Sequence, residues 1–284
     1  MARTATMKVW NVELGLAVHI KSPNGKNIVI DLGTGRDNIS PLQKLRWESI
    51  HYMIITHPHL DHISDIESFG MNEPKILYHA YGIPDEDIIA KDDAYSKGKF
   101  MKYVDITRRY NSPVTEANVN NPDNSSNYGG LEIQTFQTCA CDVSNFNNFS
   151  IITVLSLSNC KIVVCGDNEK ASLDILMKRS DFRTAVAYAD VLVAPHHGRE
   201  SGYHDEFVKH VHPKITIISD TSKSTASASS SKYTSASSGW KVHKSDGTSS
   251  DRYCLTTRND GNILVEFGES DDPQYSGVLF VKTF

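Results

Sequence analysis

The chain has 284 residues, of which 39% are hydrophobic, and this size fits one domain spanning 1–284 with room for an insertion. A formal net charge of -5 argues against a protein that coats nucleic acid through bulk positive charge. The sequence offers neither an apolar run long enough for a transmembrane helix nor an apolar signal-peptide core near its start. The expectation is a cytoplasmic protein with no membrane partner, and its 5 cysteines, an odd number, fit reduced thiols.

Short strands are predicted throughout the first third of the chain. Runs rich in β-branched residues occupy 8–12, 16–20, 27–30 and 51–55, and Pro23-Asn24-Gly25 indicates a hairpin turn. Asp31 follows the third run and precedes glycines, so we expect it close to a site, in a structural role. Its alternative role is to cap its own turn through the backbone.

The segment 56–62 carries the strongest chemical signal. It reads Thr-His-Pro-His-Leu-Asp-His directly after an apolar run, so a strand delivers these side chains to a sheet edge. His57 and His59 point to the same side of an extended chain, whereas Asp61 and His62 enter a turn and can face a second point. Imidazole with carboxylate suits zinc, manganese or iron. The spacing therefore predicts two adjacent metal sites that activate water.

Residues 80–130 interrupt the strands and are predicted to form an insertion over the site. A charged helical stretch covers 84–110, and an Asn-, Ser- and Gly-rich loop covers 113–130. The basic residues of the stretch include Lys97, Lys99, Lys102, Arg108 and Arg109. Such runs are usually solvated helix faces. The alternative is a lid or substrate wall with phosphate-binding lysines.

The second half of the sequence returns to strands. They are predicted at 131–136, 149–157, 161–164, 190–194, 215–219, 253–257, 263–267 and 278–281, with helices at 171–177 and 207–211. The Ser-rich stretch 221–238 is either a low-complexity linker or an ordered active-site loop with a short helix. We favour the ordered loop, because strands resume after it.

Two further strand ends carry residues of the ligand type. Asp167 follows Gly166 after one strand, and His196 and His197 follow another. Strands of both sheets in an αββα sandwich can present such residues at one edge. The two oxygens of the Asp167 carboxylate suit it to bridge two ions, and Gly166 permits close backbone approach.

The order of these motifs resembles the metallo-β-lactamase fold superfamily. Within it, the chain looks like the C-terminal hydrolase domain of ComEC-type DNA-uptake proteins and their freestanding relatives. The resemblance runs through 9–20, 30–33, 56–62, 147–150, 165–167, 194–198, 213–219 and 256–261. It leaves out the insertion and the Ser-rich loop. It implies an α+β fold, a four-layer αββα sandwich with helices outside two mixed sheets.

The same resemblance implies roles for individual residues. The implied metal ligands are His57, His59, Asp61, His62, Asp167 and His196. The first two bind one ion, the next two bind the other with one histidine of the adjacent pair, and Asp167 bridges. The implied cofactor is one or two ions of zinc or manganese. The catalytic residues are Asp61 or Asp167, which orient water and accept its proton, and His197, which protonates the leaving oxygen.

Several positions depart from the family pattern and point to the substrate. Many members of the superfamily have a further histidine ligand after the insertion, whereas this chain has Asn147 in the nearest family element. An amide oxygen is a poorer zinc ligand than imidazole. Arg199 replaces a serine, and Lys232 and Tyr233 replace another segment that surrounds the site in the family. Arg199 and Lys232 favour an anionic substrate. Tyr233 could stack a base or donate a hydrogen bond.

The leading interpretation is a phosphodiesterase or nuclease that cleaves nucleic acid or a nucleotide. The alternatives are hydrolysis of an ester, lactone, thioester or β-lactam, and a non-catalytic regulatory module on the same fold. Arg199 and the resemblance favour phosphodiesters. Further partners that the sequence allows are a second copy of the chain and a protein encoded in the same operon.

Overall fold

The computed structural model describes residues 3–34, 40–46, 48–221, 229–272 and 277–284. These residues form two β-sheets that stack face to face and carry helices on their outer faces. Part of the predicted Ser-rich loop, 222–228, lies outside the described residues. Within the described ranges, the helices are too short or too polar to cross a lipid bilayer.

Strands are numbered in chain order, and the larger sheet has the order β12-β11-β15-β14-β1-β2-β3-β4-β5 among the described residues. Its strands are β1 Thr4–Val9, β2 Val18–Lys21, β3 Asn27–Ile30, β4 Ile50–Ile55, β5 Ile76–His79, β11 Trp240–Lys244, β12 Ser249–Arg252, β14 Ile263–Gly268 and β15 Val278–Thr283. The smaller sheet has the order β13-β10-β9-β8-β7-β6. Its strands are β6 Glu132–Phe136, β7 Ile152–Leu157, β8 Cys160–Val164, β9 Val191–Val193, β10 Ile215–Ile218 and β13 Cys254–Thr256.

Helices cover both outer faces. Those beside the larger sheet are α1 Pro41–Lys44, α2 Leu60–Ile63, α3 Asp85–Ile89 and α4 Lys99–Arg109. Those beside the smaller sheet are α5 Lys170–Leu176, α6 Ser180–Val186, α7 Asp205–Val211 and α8 Ser230–Ala236. The short helix α9, Thr257–Asp260, follows β13. The αββα architecture predicted from the sequence is confirmed.

Alternation along the strands produces the layers. Ile28 and Ile54 belong to the core between the sheets, whereas Val29 and Met53 pack with Val104 of α4 on the outer side. Successive side chains of a strand face opposite ways, so β3 and β4, covered on both faces, are mostly apolar, apart from Asn27 and His51. Each such side chain contributes about 1.5–3 kcal/mol when fully buried.

Parallel pairing brings the functional strand ends together. β3, β4 and β5 run parallel in the larger sheet, and β8, β9 and β10 run parallel in the smaller one. Their carboxyl ends carry Asp31, the segment 56–62, Asp167 and the pair His196-His197. The fold thereby gathers residues that are far apart in sequence.

The insertion is more structural than its charge suggested. Its helices α3 and α4 pack together, and Lys99 donates to the Ser64 carbonyl. The ion pairs of α4 are Lys102 with Glu67, Arg108 with Asp85, and Arg109 with Glu73. These basic side chains are paired with acidic residues at the protein surface. The pairing agrees better with a solvated helix face than with a row of phosphate-binding lysines.

Strands β11 and β12 were not predicted. Only Val242 of β11 is buried, and it pairs with Val281 of β15. A sheet edge faces solvent on most sides, and polar residues there protect it against pairing with other chains. Because residues 240–252 are mostly polar, these two strands were not predicted from the sequence. The predicted helix in the Ser-rich loop corresponds to α8, and helix α6 was also missed.

Candidate metal centre

Two glycines let the chain segments of the site approach closely. Gly166 has a φ of 55°, and a Cβ there would lie 2.9 Å from the Thr56 Cβ. A Cβ on Gly15 would lie 2.1 Å from the Asp61 carbonyl oxygen. Larger residues at either position would push the ligand-bearing segments apart, so the predicted close approach at Gly166 is confirmed.

Four predicted residues meet at one point. Potential ligand atoms of Asp61, His62, Asp167 and His197 all lie within 4.8 Å of one another. His62 Nε2 is 3.2 Å from Asp167 Oδ1, and His197 Nε2 is 3.3 Å from Asp61 Oδ2 and 3.3 Å from Asp167 Oδ2. This mixture of two imidazoles and two carboxylates has the donor chemistry of a zinc or manganese site.

Hydrogen bonds at Nδ1 fix how the histidines face. His62 Nδ1 is 2.7 Å from Asp31 Oδ2, and His197 Nδ1 is 3.0 Å from the Ser219 carbonyl oxygen. Both partners accept, so each Nδ1 donates to its partner and each Nε2 faces the cluster, where it can bind an ion once its own proton is displaced. Anchoring through the second ring nitrogen is the usual arrangement of metal-binding histidines.

Asp31 organises this support from a fully buried position. Its carboxylate accepts from the Thr56 backbone N–H and from the Thr56 hydroxyl, both at 2.7 Å, as well as from His62. Its φ of 59° lies in the left-handed region. Such a conformation persists only where the surroundings enforce it. The structure thus places Asp31 behind the ligands, where the sequence put it.

His57 has a buried nitrogen that nothing in the described part of the chain satisfies. Its Nδ1 is 3.2 Å from the Thr56 hydroxyl, which already donates to Asp31 and so accepts from His57. The Nε2 atom is left without a hydrogen-bond partner, 3.9 Å from Asp167 Oδ2. A buried unpaired acceptor costs about 1–3 kcal/mol, and a cation beside it would remove that cost.

His59 and Asn147 lie on the same side as His57. The His59 ring stacks on Phe146, with centroids 5.6 Å apart. Burial lowers the pKa of His59, and the negative charges of Asp61 and Asp167 oppose that effect. Asn147 is 7% exposed, and its Oδ1 has no partner among the described residues. Asp167, a member of the four-residue cluster, also approaches this group through His57.

The adjacent histidines diverge. His197 joins the four-residue cluster, whereas His196 Nε2 lies 4.0 Å from Asp167 Oδ2 and 3.2 Å from Arg199 Nη1. Their φ values are 46° and 53°, so two non-glycine residues in succession adopt the left-handed conformation. Strain of this kind costs on the order of 1–3 kcal/mol per residue and clusters at functional sites.

Glu169 belongs to the site and was missed in the sequence. Its Oε1 is 3.0 Å from His196 Nδ1, and it accepts hydrogen bonds from the side chains of Asn145 and Asn147. The hydrogen bond to His196 lowers the pKa of Glu169 to about 2. The available signal was an acidic residue two positions after Asp167.

The two cluster carboxylates are held ionised. Burial would raise the pKa of Asp61, but His62 and His197 outweigh it and lower that pKa. Burial opposes the same change at Asp167, and His197 and His62 lower its pKa well below the usual range. Burial would lower the pKa of His197, but Asp167 and Asp61 raise it to about 10. The cluster therefore stabilises positive charge at its centre.

The predicted substrate residues separate into two groups. Arg199 and Asn147 lie at the site, beside His196. Lys232 instead pairs with Glu200 on the exposed surface, at 2.7 Å.

Tyr233 is fully buried in the core beneath the outer helices of the smaller sheet, edge-on to Tyr203. No face of its ring is open to a base, so its predicted role in substrate binding does not agree with the structure. Because Tyr233 lies among serines in the sequence, its inward-facing position on α8 was not predicted.

The sequence matches the family model described as the metallo-beta-lactamase superfamily over residues 11–85. The two-sheet αββα fold agrees with this match. The matched range contains Asp31 and the whole segment 56–62. The narrower resemblance to ComEC-type domains stays a prediction. No curated protein matches the sequence.

Several solved structures are similar to the chain. The metallo-beta-lactamase fold protein YhfI from Bacillus subtilis is 12% identical with a TM-score of 0.48, covering 92% of this chain and 99% of its own. Unliganded yeast PDE1 is 13% identical with a TM-score of 0.46, covering 80% and 91%. A diphosphatase from the PhnP family is 14% identical with a TM-score of 0.38, covering 78% and 88%.

Proposed function

We propose that the protein is a metal-dependent hydrolase of phosphodiesters in a nucleic acid or nucleotide. One observation carries the metal dependence: four potential ligand side chains, two of them carboxylates, meet within 4.8 Å with both histidine Nε2 atoms turned inward. Structural ion pairs do not require such orientation. The unpaired Nε2 of His57 beside the cluster supports the same reading.

The ligands divide between two ions of zinc or manganese. Asp61, His62, Asp167 and His197 would hold the first ion. His57, His59 and Asn147 would hold the second ion, with Asp167 shared. This assignment exchanges the predicted roles of the adjacent histidines: His197 becomes the ligand, because His196 Nε2 faces Arg199.

The chain's own residues supply the remaining chemistry. When bound, the ions supply Lewis-acid charge and activate water for attack. Asp61 is the most exposed carboxylate of the cluster, with 24% of its side chain accessible against 4% for Asp167, so it is placed to accept the proton of the water. As the histidine outside the ligand set, His196 would protonate the leaving oxygen from the form in which its Nε2 also carries a proton.

Positive charge beside the site favours phosphate over a neutral ester. Arg199 Nη1 lies next to His196, and a guanidinium pairs with two phosphate oxygens at once. Lys91 of the insertion is a second cation near the site, with Nζ 5.0 Å from the centre of the Phe146 ring that stacks on His59.

The test is hydrolysis of bis(p-nitrophenyl) phosphate by the zinc- or manganese-loaded protein beside Asp61→Ala. The matched control is Asp105→Asn, which alters an exposed acid on α4. We expect metal-dependent release that Asp61→Ala loses and Asp105→Asn keeps. Hydrolysis of p-nitrophenyl acetate with no phosphodiester cleavage would favour the ester and lactone alternatives. A folded, metal-bound protein inactive on both reporters would favour the regulatory module.

A further inference from the structure

Glu169 lies where three side chains of the site converge. Its Oε2 accepts from Asn145 Nδ2 at 2.8 Å, and its Oε1 accepts from Asn147 Nδ2 at 3.1 Å. The same Oε1 is 3.0 Å from His196 Nδ1. Glu169 itself makes none of the close contacts of the four-residue cluster.

The charge of Glu169 determines which end of the Asn147 amide faces the centre. A carboxylate only accepts hydrogen bonds, so Asn147 must turn its NH2 group toward Glu169. His196 Nε2, 3.5 Å from the same Nδ2, is also an acceptor because its Nδ1 carries the proton. The Asn147 oxygen therefore points away from both and remains buried without a partner.

That oxygen lies in the neighbourhood of two further donors. The turn Phe146–Phe149 carries Asn147, and Phe146 stacks on His59. The His57 Nε2 atom is equally unpaired and buried, and the centre of the His57 ring lies 4.7 Å from that of His59. Two orphaned acceptors in one dry region are unfavourable unless a cation joins them.

We propose that Glu169 is a positioning residue that makes Asn147 an oxygen donor to the second ion, with His57, His59 and Asp167. This inference rests on the proposed metal function. Apart from the shared carboxylate, the second ion then has only neutral donors, whereas the first has two carboxylates. The chain should bind two ions with unequal affinities, and Glu169 should control only the weaker.

Glu169→Ala tests the proposal because it removes the carboxylate that fixes the Asn147 amide. The Asn147 NH2 group is then free to turn toward the ion, and the weaker affinity should fall about tenfold or more. Glu169→Gln is the conservative variant, because one glutamine oxygen can still accept from Asn147 Nδ2 and His196 Nδ1, which both contact Oε1.

The measurement is calorimetric titration of the metal-free protein with manganese, supported by metal analysis after desalting. Glu169→Gln provides the rescue, since its amide oxygen keeps the Asn147 NH2 group turned toward residue 169. We expect Glu169→Ala to lose the weaker binding and Glu169→Gln to retain most of it. Thermal unfolding of each metal-free variant checks the fold.

Two outcomes overturn the proposal. One is a Glu169→Ala variant that binds both ions with wild-type affinities. The other is a wild type that binds a single ion, which leaves the hydrolase proposal standing. Two-ion binding that responds to Glu169→Ala, without hydrolysis of any phosphodiester, would reject the proposed reaction and keep the positioning role.

Discussion

The side chains on the two sides of Asp167 differ in whether their polar atoms have partners in the metal-free protein. On one side, Asp61, His62 and His197 are already in mutual contact, and their charges neutralise one another without an ion. On the other, His57 Nε2 and the Asn147 oxygen are buried with nothing to satisfy them. The first side is stable without metal, because a proton on His197 supplies positive charge beside the carboxylates. The second is complete only with a cation.

Asp167→Asn should have the largest effect, because it alters both sides at once. The variant removes the shared negative charge and replaces one oxygen with an NH2 group. We expect both ion affinities to fall by more than about 100-fold, above the ~10–100-fold typical of outer partners. Metal analysis and reporter hydrolysis measure this, and wild-type affinity for either ion would contradict the shared role.

Asp31→Asn separates the sides by weakening the support behind His62. Asparagine tolerates the left-handed backbone at this position, so the variant should fold. Loss of the carboxylate behind His62 Nδ1 should weaken the stronger ion by about 10- to 100-fold. Calorimetry on the variant shows whether the loss falls mainly there; an equal loss for both ions would mean that Thr56 transmits the change to His57.

Arg199→Ala probes the substrate side and should spare the metal. A hydrogen bond to a charged group is worth about 1.5–3 kcal/mol, so kcat/KM for a phosphodiester should fall about 10- to 100-fold. The matched control Lys232→Ala removes a cation paired with Glu200 and should change kcat/KM by less than about twofold. Equal losses in the two variants would indicate a general effect of surface charge.

The smallest effect is a pH dependence of the stronger ion. His197 has a pKa raised from 6.5 to about 10 in the metal-free protein, so an ion must displace its proton at neutral pH. Affinity should rise with pH across that window, by up to about tenfold per unit for one displaced proton. Calorimetry in buffers of different ionisation enthalpy counts the protons released. If metal binding released no protons at pH 7.5, the prediction that His197 is protonated in the metal-free cluster would be wrong.

The same pKa has a consequence for folding. A raised folded-state pKa stabilises the protein fully below the unfolded value of 6.5, and this contribution disappears as pH rises through about 10. Metal-free protein should therefore lose stability across this interval. The metal-loaded protein should be less sensitive, since the ion has already replaced the proton.

Much of the site could be predicted, because its residues follow strands whose pattern is clear in the sequence. Asp31, the segment 56–62 and Asp167 lie where that reasoning put them. The choice between His196 and His197 depends on consecutive left-handed φ values, which no local pattern of this sequence indicated. Glu169 gained its role only when the turn Phe146–Phe149 packed beside α5, a contact between distant segments.

The fold shows the same division. Apolar strands such as β3 and β4 were predicted with small boundary errors, because burial on both faces leaves a continuous signal. The polar edge strands β11 and β12 left none. Tyr233 was misplaced for a related reason: one aromatic residue among serines does not show which way its helix faces.

Thr56 would connect the two proposed ion sites thermodynamically. Its single hydroxyl donates to Asp31, accepts from His57, and lies 3.4 Å from His62 Nδ1. With Asp167 also shared, occupancy of one proposed site would alter the free energy of filling the other. Whatever factor the first ion imposes on the affinity of the second, the second would impose on the first. A two-ion centre of this kind would behave as one cooperative unit.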